Sequence, residues 1–133
     1  MTARGLRNNN PGNIRQGKTP FIGEIAGGDK SFRKFQNIIY GYRAMMVILH
    51  RYYFTYHLRT ITQIIRRWAP ESENNTQAYI NKVSGMSLIG SNVEFTWCES
   101  NVVAIVLAMC FVECGKRLNR EYVEIAWRTW IQK

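Results

Sequence analysis

The chain has 133 residues, with 18 Lys and Arg against 9 Asp and Glu, a formal net charge of +9, 46% hydrophobic residues and 13% aromatic ones. That length suits one domain spanning residues 1–133, and the apolar fraction excludes a disordered tail. The charge predicts attraction to a polyanion (nucleic acid, an anionic cell-wall polymer or an acidic protein) without choosing among them.

In chain order, the stretch from Met1 to Arg15 is polar, rich in Asn and Arg, and lacks the apolar core of a signal peptide. The expectation is synthesis in a bacterial cytoplasm without a Sec signal, with the virion or the cell wall reached by another route. Six of the ten glycines precede residue 29, together with Pro11 and Pro20, so residues 1–34 read as turns and short strands. Asn10-Pro11-Gly12-Asn13 is a turn, because Pro presets φ and Gly or Asn tolerates positive φ. Ile14, Phe21-Ile22 and Phe32 to Phe35 are predicted as the short strands of a small β-ribbon.

From about residue 37 the period becomes 3.6. Tyr42, Met46, Leu49 and Tyr53 share one face of a long helix running to about Tyr56. Thr60 opens a second helix, with Gln63 completing a capping box, a buried stripe of Ile61, Ile64, Ile65 and Trp68, and Pro70 as its stop. Asn74 or Asn75 caps a third helix that carries Tyr79, Ile80 and Val83 and ends at Ser84-Gly85. Residues 86–98 read as a loop. Ser100 is expected to cap a fourth helix in which every residue from Val102 to Val112 is apolar. A helix apolar all round is buried all round, so this one should be central. Its apolar run is far short of the roughly 20 residues that cross a bilayer. Gly115 suits its C-terminal cap. Asn119 then caps a last helix whose apolar face is Tyr122, Val123, Ala126, Trp127, Trp130 and Ile131. The sum is a mainly helical α+β chain.

Chemistry has few candidate groups. Glu121, Glu124, Glu71 and Glu73 sit near helix starts, where they favour the helix dipole. Glu94 and Glu99 lie in or beside a polar loop. Glu113 differs because it closes the most apolar helix, where desolvation favours the protonated carboxyl that a glycosidic oxygen needs from a general acid. The competing explanation is an ordinary surface ion pair with Lys116 or Arg117. Glu24, in the glycine-rich ribbon, is the second candidate, against a solvated turn residue. His50 and His57 share a helix face without a Cys or Ser partner, so neither a triad nor a metal site is expected. Cys98, Cys110 and Cys114 are odd in number and read as free thiols, buried in a reducing compartment, not as a disulfide framework or metal ligands. No glycine-rich nucleotide loop occurs, and no cofactor is expected. Tyr and Trp beside Asn amides would form a sugar-binding surface, since ring faces stack on CH groups and amides bond hydroxyls. Asn9, Asn10, Asn13, Asn74, Asn75, Thr76 and Tyr79 are the candidate binding residues, and turn or cap chemistry competes for many of them.

Arg4-Gly5-Leu6-Arg7-Asn8-Asn9-Asn10-Pro11-Gly12-Asn13-Ile14-Arg15 resembles the opening of a family of small phage and prophage proteins described as virion structural proteins or peptidoglycan hydrolases. The similarity continues through Phe32 to Phe35, Gly41-Tyr42-Arg43-Ala44, Thr60-Ile61, Arg67-Trp68-Ala69-Pro70 and Glu73-Asn74-Asn75-Thr76 with Tyr79-Ile80 and Val83, covering about residues 4–85. Phe111-Val112-Glu113-Cys114-Gly115 looks like a further family motif, with Cys114 where Asn is more usual. That family is distantly similar to the lysozyme-like superfamily, and specifically to soluble lytic transglycosylases and goose-type lysozymes. There a buried helix ends in the catalytic Glu and an Asn-containing turn follows it. Here Asn9 to Ile14 is similar to the turn and Thr76 to Ile80 to a later Tyr segment, but the Glu-bearing helix that should precede the turn has no room before Asn8. A circular permutation restores the order: Val102–Val112 with Glu113 takes the place of the missing helix.

The resemblance therefore implies a lysozyme-like domain with a buried central helix. Its function would be that of a peptidoglycan-directed glycoside hydrolase or lytic transglycosylase with Glu113 as the single acid/base. The alternative is a virion structural or glycan-binding protein that keeps the fold without cutting. Peptidoglycan glycan and virion proteins are the expected partners. A basic nucleic-acid-binding domain comes third, because the cations are dispersed and no nucleic-acid-binding motif is present.

Overall fold

A computed structural model describes residues 3–27 and 29–131. Helix α1 (Arg4–Arg7) leads into the Asn-rich turn, and strands β1 (Glu24–Ile25) and β2 (Lys34–Phe35) form a two-stranded antiparallel sheet. Then come α2 (Ile38–Phe54), α3 (Ile61–Trp68), α4 (Thr76–Ser87), α5 (Glu99–Cys114) and α6 (Arg120–Ile131). The mainly helical α+β class is as expected. Among the described residues no helix is long and apolar enough to cross a membrane.

The ribbon is smaller than predicted. Glu24 pairs with Phe35 and Ile25 with Lys34, and Arg15 meets Phe32 in an isolated bridge. Ile14 and Phe21-Ile22 are not strands, for a hydrogen-bonding reason. The buried Asn10 amide donates to the Ile14 and Arg33 carbonyls at 2.9 and 2.8 Å and accepts from the Ile14 N–H at 2.9 Å, taking the groups a ladder would use. The Glu24 carboxylate accepts from the Phe21 N–H, and the Glu24 N–H donates to the Phe21 carbonyl, so Phe21 and Ile22 are held in a turn. The short α1 lies in a stretch read as turns and strands.

Helix starts follow side-chain chemistry. The Asn37 side chain accepts from the N–H groups of Ile39 and Tyr40 to open α2, and Thr60 and Gln63 form the expected capping box at α3. Asn75, not Asn74, caps α4 through the Ala78 N–H. Asn119 accepts from the Glu121 N–H at the start of α6. Two boundaries depart from expectation. Helix α4 runs through Gly85 because the burial of Ile80 and Val83 holds it, and it stops at Leu88 in the left-handed region (φ 62°). Helix α5 starts after Cys98 instead of Ser100: the Asn101 amide donates back to the Thr96 carbonyl at 2.9 Å, which draws the first turn earlier.

Helix α5 packs against α4, α6, α2 and α1. It buries Val102, Val103, Ile105, Val106, Ala108, Met109 and Cys110, but it is not buried all round. Ala104, Leu107 and Phe111 are half-buried and Val112 is exposed, since four neighbours leave one side open. Lys82 and Arg117 cover the Phe111 ring there as cations, 5.1 and 5.8 Å from its centre. Val123, Ala126 and Trp127 face the core from α6, Trp130 packs against it and Tyr122 is exposed. The Ile131 side chain lies outside what is described. One close approach matters for the site: a Cβ on Gly41 of α2 would strike the Asn9 carbonyl and the Pro11 ring. Glycine there lets the Asn turn lie directly on α2.

Candidate functional site

The last turn of α5 delivers Glu113 to the place where the Asn turn, α3 and α4 converge. The Asn13 amide, 100 residues away in sequence, donates to Glu113 Oε1 at 3.0 Å. Asn13 holds this position with a positive φ of 51°, a backbone state that Asn tolerates better than most residues. The Tyr79 hydroxyl, from α4, donates to Oε2 at 2.9 Å, and the Trp68 indole N–H, from the end of α3, donates to the same oxygen at 3.3 Å. Next along the helix, the Cys114 thiol donates to the Pro11 carbonyl at 3.3 Å and pins α5 to the turn.

Glu113 is half-buried. Among the described residues no Lys or Arg forms an ion pair with it, so the surface pair with Lys116 or Arg117 is not what holds it. Burial, and then the adjacent Glu113 charge, raise the pKa of Tyr79 well above that of an ordinary phenol, so its hydroxyl keeps its proton and stays a donor. Burial and Glu113 also push the Cys114 thiol up to about 11, and burial raises Cys110 further from its usual range. Both are poor nucleophiles at neutral pH. The half-exposed Cys98 is lowered, chiefly by its contact with Ser100, and lies away from the site.

Glu113 opens onto a cleft of about 310 Å³. Its wall combines the rings of Phe32, Tyr52 and Trp68 with the amides of Asn13 and Asn74, and adds a second carboxylate, Glu73. The sequence pattern places Trp68 on a buried stripe and Glu73 near a helix start, and the fold brings both to the cleft. An indole N–H needs a partner when half-buried, the one sign in the sequence that Trp68 bonds something polar.

The remaining candidates separate from this cleft. Glu24 forms an ion pair with Arg33 at 2.5 Å, both side chains mostly buried, so it is a structural carboxylate of the ribbon and not a solvated turn residue. Asn10 is fully buried and spends its amide on the backbone. Asn9 donates to the Phe35 carbonyl at 3.0 Å, Asn75 caps α4, and the buried Thr76 hydroxyl donates to the Ala69 carbonyl. Asn74 reaches the rim while its amide donates to the Pro70 carbonyl at 3.2 Å. Among the described residues no group of three His, Cys, Asp or Glu side chains is placed to hold a metal ion.

No family model matches the chain. Protein P5 of Pseudoalteromonas phage PM2 is 40% identical to it over 117 residues, a span that covers 85% of this chain and 72% of that protein.

Proposed function

The chain belongs to the family of protein P5 of Pseudoalteromonas phage PM2, which makes it a phage-associated protein, and from that premise we propose that it cleaves the glycan strand of peptidoglycan. The observation that carries this reading is the Glu113 carboxyl, set at a cleft and held by three neutral donors, Asn13, Trp68 and Tyr79. In its acid form Glu113 gives its proton to the bridging glycosidic oxygen as the bond from that oxygen to the anomeric carbon breaks. The three donors hold the carboxylate that remains. The anomeric carbon is then taken by water, in hydrolysis, or by the sugar's own 6-hydroxyl, in transglycosylation, and the displaced proton returns to Glu113. Phe32, Tyr52 and Trp68 supply ring faces for sugar CH groups, and Asn13 and Asn74 supply amides for hydroxyl and N-acetyl groups. The contact between the late Glu113 and the early Asn turn is the spatial arrangement that a permuted lysozyme-like fold requires, and it supports that fold as part of the same proposal.

The test is the turbidity of a purified peptidoglycan suspension. The expected result is clearing by the native protein and none by Glu113→Gln; equal clearing by both overturns the assignment. A non-cutting virion protein that binds glycan is the second reading, favoured by the kinship with a phage protein, and sedimentation with peptidoglycan without clearing identifies it. Steeply salt-dependent DNA binding without either result would point to a nucleic-acid partner instead.

A further inference from the structure

Beside the Glu113 cleft, sharing Ile48 and Tyr52 with it, lies a second and larger pocket of about 640 Å³. Arg33, Arg43, Arg51 and Arg67 line it, and no Asp or Glu does. Two of these cations are already engaged. Arg33 is paired with Glu24 and donates to the Arg15 and Thr19 carbonyls, and Arg67 stacks on Tyr56 with its guanidinium 4.2 Å from the ring centre.

Arg43 is different. It lies in the middle of α2, is only 6% exposed, and its buried Nε has no hydrogen-bond partner. Among the described residues no carboxylate pairs with it. Burial works against its charge, which lowers its pKa. A buried guanidinium without an anion is expensive, and the expense is removed when an oxyanion enters and accepts from it. Arg51, exposed at the same pocket, supplies a second cation. Phe21, Ile22, Val47 and Trp130 add apolar wall that suits a short aliphatic peptide, beside the hydroxyls of Thr19, Tyr52 and Tyr56.

We propose that this pocket is an oxyanion subsite that binds a carboxylate of the short acidic peptide borne by the peptidoglycan strand, while the sugars occupy the Glu113 cleft. The proposal rests on the glycan reading for the identity of its ligand, but the pocket and its cations do not. A phosphate-bearing wall polymer offers the same chemistry, so the experiment separates the two sources.

Three probes are titrated calorimetrically into the native protein, Arg43→Met and Arg51→Gln: the N-acetylated dipeptide N-acetyl-L-Ala-D-Glu, its neutral diamide, and inorganic phosphate. An N-acetylglucosamine tetramer is titrated alongside. Met keeps the unbranched stem of Arg43 as far as the ε position, and removing a buried unpaired charge should leave the melting temperature equal or higher; Arg51→Gln, at an exposed position, gives the same readout if Arg43→Met fails to fold. The expected result is dipeptide binding at least tenfold weaker in either variant and at least tenfold weaker for the diamide, with tetramer binding unchanged. Equal binding of acid and diamide, or no loss in Arg51→Gln together with none in a folded Arg43→Met, overturns the subsite. Tighter binding of phosphate than of the dipeptide overturns the peptide as its source. Dipeptide binding that depends on these arginines with no tetramer binding leaves the oxyanion pocket standing and removes the glycan reading.

Discussion

Glu24 and Glu113 are both partly buried carboxylates that tie distant pieces of chain together, and they are held by opposite means. In the ribbon, Glu24 sits 2.5 Å from the guanidinium of Arg33, with side-chain exposures of 14% and 7%. At the end of α5, Glu113 is met by an amide, a phenol and an indole, all neutral. A carboxylate locked to a buried cation cannot accept a proton without stranding that cation, so its place is structural. A carboxylate held by neutral donors strands no buried cation when it gives up its charge. That difference, more than burial itself, separates the group suited to proton transfer from the group suited to holding the fold.

The two replacements with Gln test the contrast directly. Glu113→Gln is expected to lower peptidoglycan clearing by about 10²- to 10⁴-fold, the usual worth of a positioned acid/base, with a melting temperature near that of the native protein. Glu24→Gln should do the reverse. It leaves Arg33 buried without its anion, a loss of about 3 kcal/mol that chemical denaturation measures, while the folded fraction keeps its clearing rate. If Glu24→Gln proved neutral in stability, or if Glu113→Gln unfolded the protein, the contrast would collapse. Tyr79→Phe is a smaller perturbation within the site. It removes one donor to Oε2 and leaves Trp68 in place, and the ring stays in the core. Losing a hydrogen bond to a charged group is worth about 1.5 kcal/mol, roughly tenfold in rate, and kinetics at matched folded concentration would show it. An unchanged rate would mean that Tyr79 serves packing alone.

The same contrast marks how far sequence reasoning reached. The uniform apolarity from Val102 to Val112 made α5 legible as the central helix and made the residue closing it conspicuous. The 3.6-residue period located α2, and capping chemistry located α3 and α6, within a residue or two. Asn10 and Asn13 were indistinguishable beforehand, because one turn places both. Only the fold shows that Asn10 turns inward to hold the backbone and Asn13 outward to the carboxylate of Glu113. Glu24 stands in the sequence between a second catalytic candidate and a solvated turn residue, because its partner, Arg33, lies across a ribbon whose register the sequence does not encode strongly. The burial of Arg43 is equally silent: it adjoins the apolar face of α2, and its surroundings depend on α6 and the ribbon packing over it.

His50 gives the smallest effect and completes the series, since it is set among aromatic rings. Its ring lies among Phe54, Trp97 and Trp130, with centroids 4.6, 5.4 and 5.0 Å away. Burial lowers its pKa below the ordinary 6.5. The unfolded chain then binds a proton near pH 6.5 that the folded chain takes up only at lower pH. The stability contributed by neutral His50 is therefore present above 6.5 and is lost as pH falls through the lower, folded value. His50→Phe keeps an aromatic ring in the cluster and removes the titrating group. Denaturation midpoints measured from pH 7.5 to pH 5 should fall less in this variant than in the native protein. Parallel curves across that window would show that the apolar surroundings of His50 do not bias its protonation, and that neutral packing alone is too weak to set the charge state of a side chain in this fold.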